Sequence, residues 1–383
     1  MSTIKVNNLE SSTGGGVAAK LTSVNGGGIG TRNLIINGAM QVAQRGTSSA
    51  QTGYRTVDRF RPDAGGTDET PSQDQVDVAS GTGPYTSGFR KAIKVTNGNQ
   101  TSGVQAADYV QIDYRLEAQD VAKSGWNYTS SSSFVTLSFW IKSSVSKDFQ
   151  IVLRTQDGTS QSFQFETPTL SADTWTKVTK TIPGNSNLTF DNNTDIGLLL
   201  FWFPYIGTEY TDAGNTLDAW QTSSSSTYGV VDGTSWYTTN DATFEITGVQ
   251  LETGSTATDF EHRSFGEDLT LCQRYCYVLT GGDNDYTGFS GYSTSASAAM
   301  FPVFFPVAMR GAPSFSLSGT MRFQGASYDS ANITSGLAIV QPNTTFTGAV
   351  LQLTGSSSMA AADRPGNLQF KAADTSLTFS AEL

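Results

Sequence analysis

The residues best suited to hold a ligand lie between positions 201 and 237. There Tyr205, Tyr210, Trp220, Tyr228, Trp236 and Tyr237 are interspersed with serine, threonine, glycine and aspartate. An exposed aromatic ring offers a flat face on which the C–H side of a sugar can stack, while polar neighbours bond the hydroxyls. These six are the candidates for glycan contact; the competing reading has part of the set plugging the ends of a sandwich or lining a subunit interface. Trp202 sits in an apolar run and is assigned to the core. Hydrolysis of a polysaccharide would need two carboxylates at a set separation. Acidic residues are plentiful, but none falls in a recognisable motif, and the reading is non-enzymatic. The single histidine, His262, excludes a multi-histidine zinc site. Asp283, Asn284 and Asp285 stand in the glycine-rich run GGDNDYTG, which lacks the spaced ligands and closing glutamate of a calcium loop. It reads as a surface turn, and neither metal nor cofactor is expected.

The elements that must position these residues are strands. Val135, Leu137, Phe139 and Ile141 alternate with Thr136, Ser138 and Lys142, the period of a half-buried strand. Phe149, Ile151 and Leu153 repeat the pattern, as do Phe163 with Phe165, and Trp175 with Val178 and Ile182. Asp157-Gly158 marks a hairpin between two of them. Ile196 to Phe203 is apolar nearly throughout and predicts a strand buried on both faces. Earlier in the chain, Leu34 and Ile36 start a strand, Val57 and Phe60 a second that ends at Pro62, and 63–74 reads as loop. With strands at 89–95, 109–116 and 242–252, about ten strands make two packed antiparallel sheets. Glu117–Ser124 reads as a helical turn or two.

Phe244 and Ile246 give way to Val249 and Leu251, a slip of one position at Gly248 that predicts a β-bulge. Ser264 and Glu267 have the spacing of a capping box opening a short helix. Cys272 and Cys276 fall on one face of that helix, a spacing that rarely allows a disulfide. Beyond it, strand-like segments recur at 299–307, 314–317, 336–340, 349–353, 368–372 and 377–381. Pro302 and Pro306 place the first of these at a sheet edge or an interface. The fold class is all-β. An antiparallel jelly-roll sandwich at 33–262 is joined by a connecting helix at 263–280 to a smaller β-domain at 281–383. Residues 1–32 carry two triple-glycine runs and no core, and read as an arm.

Net charge is −11 and the isoelectric point near 4.6, which argues against nucleic acid as a partner. The N-terminus has no signal-peptide pattern, and no apolar run of about 20 residues predicts membrane insertion. The arm alone is basic, with Lys5, Lys20 and Arg32 against Glu10.

ITGVQLETGSTATDFEHRSFGEDLTLCQRYCYV, from Ile246, resembles a segment of tail-fibre and appendage proteins of tailed bacteriophages. In those proteins it reads ITGVQLE-G-x-x-A-T-x-F-E-x-R-x-x-x-E-x-L-x-x-C-Q-R-Y. NLIINGAMQVAQRG, YRTVDRF, PVAMRGAPSFSLSG and the ending FSAEL agree with it, so the resemblance touches most of the chain beyond the arm. It implies a virion structural protein, assembled in the host cytoplasm, with a jelly-roll like a carbohydrate-binding module. It further implies a homo-oligomer, commonly a trimer, attached to other virion proteins by its arm and binding host-surface glycan. A capsid-mounted decoration fibre and a polysaccharide depolymerase are the alternatives.

Overall fold

A computed structural model describes residues 32–223, 229–295, 297–325, 330–333, 336–340, 345–354 and 364–383, with the backbone of Ser23–Val24 and Gly27–Gly28. The expectations for the arm otherwise lie outside the described residues.

Two six-stranded antiparallel sheets form the larger unit. One runs, in spatial order, Trp220–Thr222, Gln161–Glu166, Gln150–Thr155, Ile196–Ile206, Tyr109–Glu117 and Phe60–Gly65. The other runs Thr176–Pro183, Phe134–Ser143, Thr243–Thr253, Lys91–Thr96, Ser72–Asp77 and Ser48–Ser49. Alternation dictates their facing: Val135, Leu137, Phe139 and Ile141 meet Ile151, Leu153, Phe163 and Phe165 in one continuous core. The apolar Ile196–Ile206 strand is buried on both faces. Leu198, Leu200 and Trp202 enter the main core, whereas Leu199, Phe201 and Phe203 form a second cluster against Val152, Ile206 and Tyr210.

The slip in the closing strand is a bulge. Its register against Phe134–Ser143 shifts between Thr247 and Gln250, and Gly248 adopts φ +62°. Both apolar pairs flanking it consequently reach the same core.

Four expectations are corrected. Residues 33–36 form no strand; Ile35 is buried in place of Leu34 and Ile36. Asn33 serves as a side-chain clamp there, donating to the Val249 carbonyl at 3.1 Å and accepting from Leu251 N at 3.0 Å. Gly38 runs so close to the bulge that a Cβ on it would stand 2.1 Å from the Val249 oxygen. Pro62 does not end its strand, because Phe60–Gly65 is a sheet edge and the missing N–H leaves no ladder bond unmade. Residues 63–74 are partly strand, since Ser72–Asp77 pairs in full register with Lys91–Thr96. Cys276 is not on the helix, which spans Phe265–Gln273; it opens a strand. Both thiols are free and buried, and burial pushes each well above its ordinary pKa.

The helix starts with the capping box read from Ser264 and Glu267. Past it lies the smaller unit, a three-stranded sheet (Cys276–Gly281, Thr375–Ser380, Ser314–Ser318) and a seven-stranded one. In the latter, Ala298–Phe304 is flanked on both sides, but its pairing with Tyr286–Ser295 stops at Met300. Pro302 therefore faces an open side within the sheet. Phe301, Val303 and Phe305 join the core of this unit, while Phe304 stays 80% exposed.

An arginine cluster binds the two units together. Arg59, with 1% of its side chain exposed, pairs with Glu382 at 2.5 Å and donates to the Arg115 carbonyl at 2.6 Å. Its guanidinium lies 3.5 Å from the ring centroid of Tyr275 and 5.3 Å from that of Tyr114. Arg45 pairs with Glu382 at 3.2 Å, and Arg310 donates to the Ala381, Glu382 and Thr194 carbonyls. Arg274 meets Glu117 through two bonds of 2.8 Å, and the Tyr275 hydroxyl donates to the same carboxylate at 2.6 Å. Burial opposes ionisation of Glu117, but these bonds hold it below the usual carboxylate range.

Removing one partner of a buried pair strands the other charge. Glu382→Gln should destabilise the protein by about 3–5 kcal/mol, read from the urea midpoint; a change below about 1 kcal/mol would contradict the description of the junction. Asp58 offers a pH test. Burial pushes its carboxyl up to about 6, outweighing the pull of Arg45 and Gln44. The folded state then holds the proton more tightly than the unfolded chain, so this group's contribution is full below pH 4 and declines as pH rises to about 6. Compared with Asp58→Asn, the wild type should lose melting temperature across that window and run parallel to the variant above it. Curves parallel throughout would contradict the assignment.

Candidate functional site

The six aromatic candidates do not form one platform among the described residues. Tyr205, Trp236 and Tyr237 are buried to 2% exposure or less and belong to the main core. Their reason is packing: Tyr205 and Tyr237 lie with ring centroids 4.7 Å apart, and the Trp236 indole donates to the Thr243 carbonyl at 3.1 Å. They close the sandwich instead of facing water. Trp220 is half-buried at a sheet edge, its ring 5.5 Å from that of Phe163 and its N–H spent on the Pro183 carbonyl at 2.6 Å. Tyr210 meets Tyr109 edge-on at 5.4 Å and covers the second apolar cluster. Tyr228 lies outside the described residues.

Among the tryptophans, Trp140 and Trp175 lie on the outer side of the second sheet, half-buried against Ala39, Val78, Phe89 and Ala92; the rings exposed on strands, Tyr286, Tyr292 and Phe304, belong to the smaller unit. Along FVTLSFWIKS the odd positions enter the core, so Trp140 must point outward beside Ser138 and Lys142. On the neighbouring strand Val178 and Ile182 face inward, which turns Lys177 outward. Lys177 stands directly opposite Trp140 in the antiparallel register. The Lys142 ammonium lies 5.1 Å from the Trp175 ring centroid. The outcome is a checkerboard of two indoles and two ammonium groups on one sheet face. The sequence carries this signal in its parity: Trp140 falls on the even, outward positions of its strand, and Trp175 is out of phase with the inward-facing Val178 and Ile182.

A cleft of about 410 Å³ opens over this face, floored by Trp140, Ser138 and Lys177. One wall is the turn Thr86–Phe89, and the other is the strap Thr258–His262. The size falls in the range of ligand-binding clefts. Phe89, Phe260 and His262 hold the walls together, with centroids 4.8–5.2 Å apart, and His262 Nε2 lies 3.0 Å from the Ser87 carbonyl oxygen. The bulge makes room for this arrangement, because a Cβ at Gly248 would come within 2.6 Å of the Phe89 ring. A larger, shallower hollow of about 720 Å³ lies beside the helix Phe265–Gln273. Ser264 and Glu267 in its wall are occupied by the capping box, so the smaller cleft is the better candidate.

Charges on the sheet face are mostly matched. Lys142 pairs with Glu245 at 3.0 Å, and Lys94 with Asp74 at 3.4 Å. Buried carboxylates elsewhere are likewise engaged, Asp113 by Arg61 and Arg115, and Glu117 by Arg274. His262 packs in the strap as its sequence context predicted. In the 281–285 turn, Asn284 takes φ 72° and Asp285 accepts from Gly282 N at 2.8 Å. Among the described residues, no group of three or more His, Cys, Asp or Glu side chains is placed to hold a metal ion, and no helix is long and apolar enough to cross a membrane.

No protein-family model and no curated protein matches the sequence. Among solved structures, the enzymatically active domain of bacteriophage CBA120 tailspike protein 4 aligns with 58% of this chain at 10% identity and a TM-score of 0.30. The aligned part is 21% of that chain, so this protein spans about a fifth of it. A CBM4 module aligns over 57% of this chain and 97% of its own, at 11% identity and TM-score 0.28. The CBM22 tandem domain of Paenibacillus barcinonensis Xyn10C covers 95% of this chain and 100% of its own, at 9% identity and TM-score 0.28. Alignments this loose fix no residue-level correspondence.

The different burial of the tryptophans is directly measurable. Trp236→Ala should cost about 3–5 kcal/mol of stability, as for a large core ring, whereas Trp140→Ala, at a half-buried ring packed against Gly83 and Phe89, should cost about 1–2 kcal/mol. Urea unfolding decides it, and equal losses would contradict the placement of the two rings.

Proposed function

We propose that the chain is a non-enzymatic structural protein of a tailed-phage virion, carried on a tail fibre or related appendage, that attaches the particle to host-surface glycan through the cleft over Trp140. The observation that carries the ligand class is Trp140 on the floor of the cleft, bordered by Ser87, Ser138, Thr258 and Lys177. Indole faces provide the stacking surface and the polar border the hydroxyl partners. The glycan-contact role is thereby moved from the 205–237 set, three members of which are core.

The phage reading rests on the sequence resemblance, and the segments that carry it meet at the junction. Arg45 from VAQRG, Arg59 from VDRF, Arg274 and Tyr275 from CQRY, Arg310 from AMRG and Glu382 from SAEL all meet there. Segments scattered along the chain thus act as one interlock. Against a depolymerase stands the occupation of the buried carboxylates Asp113, Glu117 and Glu382 by arginines. We retain the trimer as a proposal: several copies would multiply weak single-site contacts, and Phe304 and Phe346, 80% and 57% exposed, are available to bury. The arm is proposed to dock on other virion proteins, at the tail or, alternatively, on the capsid.

Phage adsorption tests the reading. Protein carrying Trp140→Ala should compete with phage for host cells about three- to tenfold less well than wild type, the loss of one aromatic contact. Undiminished competition by the folded variant would sink the cleft as the attachment site.

A further inference from the structure

We infer that the cleft selects glycans bearing an anionic substituent, a uronic-acid carboxylate or a phosphate, and that Lys177 is the residue that reads it. This deepens the glycan reading of the same cleft and rests on it. Most lysines of the described residues are paired: Lys91 with Asp77, Lys94 with Asp74, Lys142 with Glu245, Lys147 with Asp232, Lys180 with Asp218 and Lys371 with Asp283. Lys177 and Lys123 are the two without a carboxylate at salt-bridge distance among those residues. Lys123 is remote from the checkerboard in sequence and pairing. Lys177 instead stands cross-strand from the stacking ring, exposed, on the floor of the cleft.

In a chain of net charge −11, an uncompensated ammonium beside a stacking face is a positional signal. A sugar ring lying on Trp140 would carry its edge substituents against this group, since directly opposed side chains in a sheet lie about 5 Å apart at Cβ. A negatively charged substituent gains a charge-assisted hydrogen bond there that a neutral hydroxyl does not. Asp259 lines the same cleft from the strap. A negative charge on that wall would repel an anionic substituent and favour its lying on the Lys177 side.

The test compares binding of the full chain to polygalacturonate, to a phosphate-bearing teichoic acid and to neutral dextran by calorimetry, at low and moderate salt. The expected result is preference for one of the anionic polymers, weakened by salt; which one prevails distinguishes carboxylate from phosphate. Lys177→Gln should reduce the anionic-to-neutral affinity ratio by about three- to tenfold, and Lys123→Gln should leave that ratio unchanged. If dextran is bound as well as the anionic polymers, or if Lys177→Gln leaves the ratio intact while Trp140→Ala still weakens binding, the anionic selectivity is overturned and the glycan reading survives. Binding of none of the polymers overturns both.

Discussion

The ion pair between Arg59 and Glu382 is the contact on which the two-unit architecture depends. A guanidinium taken fully out of water must regain its solvation from the protein. Here the compensation comes from a carboxylate more than 300 positions away, from the Arg115 carbonyl, and from the faces of two tyrosines. Arg59 also sits at φ 73°, a left-handed conformation that only an over-determined environment sustains. The contact is therefore costly to make and costly to lose in part, so the last residues of the described chain belong energetically to the sandwich as much as to the sheet they end.

The closing strand Thr243–Thr253 links this junction to the cleft. One of its faces completes the main core. Its bulge receives the NLIING segment through Asn33 and Gly38 on one side and accommodates Phe89 at Gly248 on the other. The strap that follows then crosses the outer face of the sheet, and Arg263 donates to the Asn33 and Ile35 carbonyls before the helix begins. One irregularity in one strand thus fixes the position of the cleft wall relative to Trp140.

Much of this was legible in the sequence wherever one face is apolar and the other polar. The 134–143, 150–155 and 161–166 strands, the bulge at Gly248 and the capping box at Ser264 each have a local cause that the residue order states. Strands such as Ser72–Asp77 and Tyr286–Ser295, polar along most of their length, were illegible, because their pairing is imposed by neighbours and not by an apolar face of their own. The aromatic set at 205–237 failed for a related reason. Composition says that rings are abundant but not which way each points, and in a loop-rich segment no periodicity supplies the direction. In a regular strand it does, which is why Trp140 was recoverable from parity alone.

In the proposed site the ligand-facing tryptophan is Trp140, and not those of the 220–236 segment. The six indole N–H signals of the protein, assigned by single substitution, can be followed by NMR while a polysaccharide from the host surface is titrated in. The Trp140 signal should shift and saturate, with Trp126, Trp202 and Trp236 unmoved in the core. Saturable shifts at Trp220 with Trp140 unchanged would contradict the placement of the ligand over Trp140.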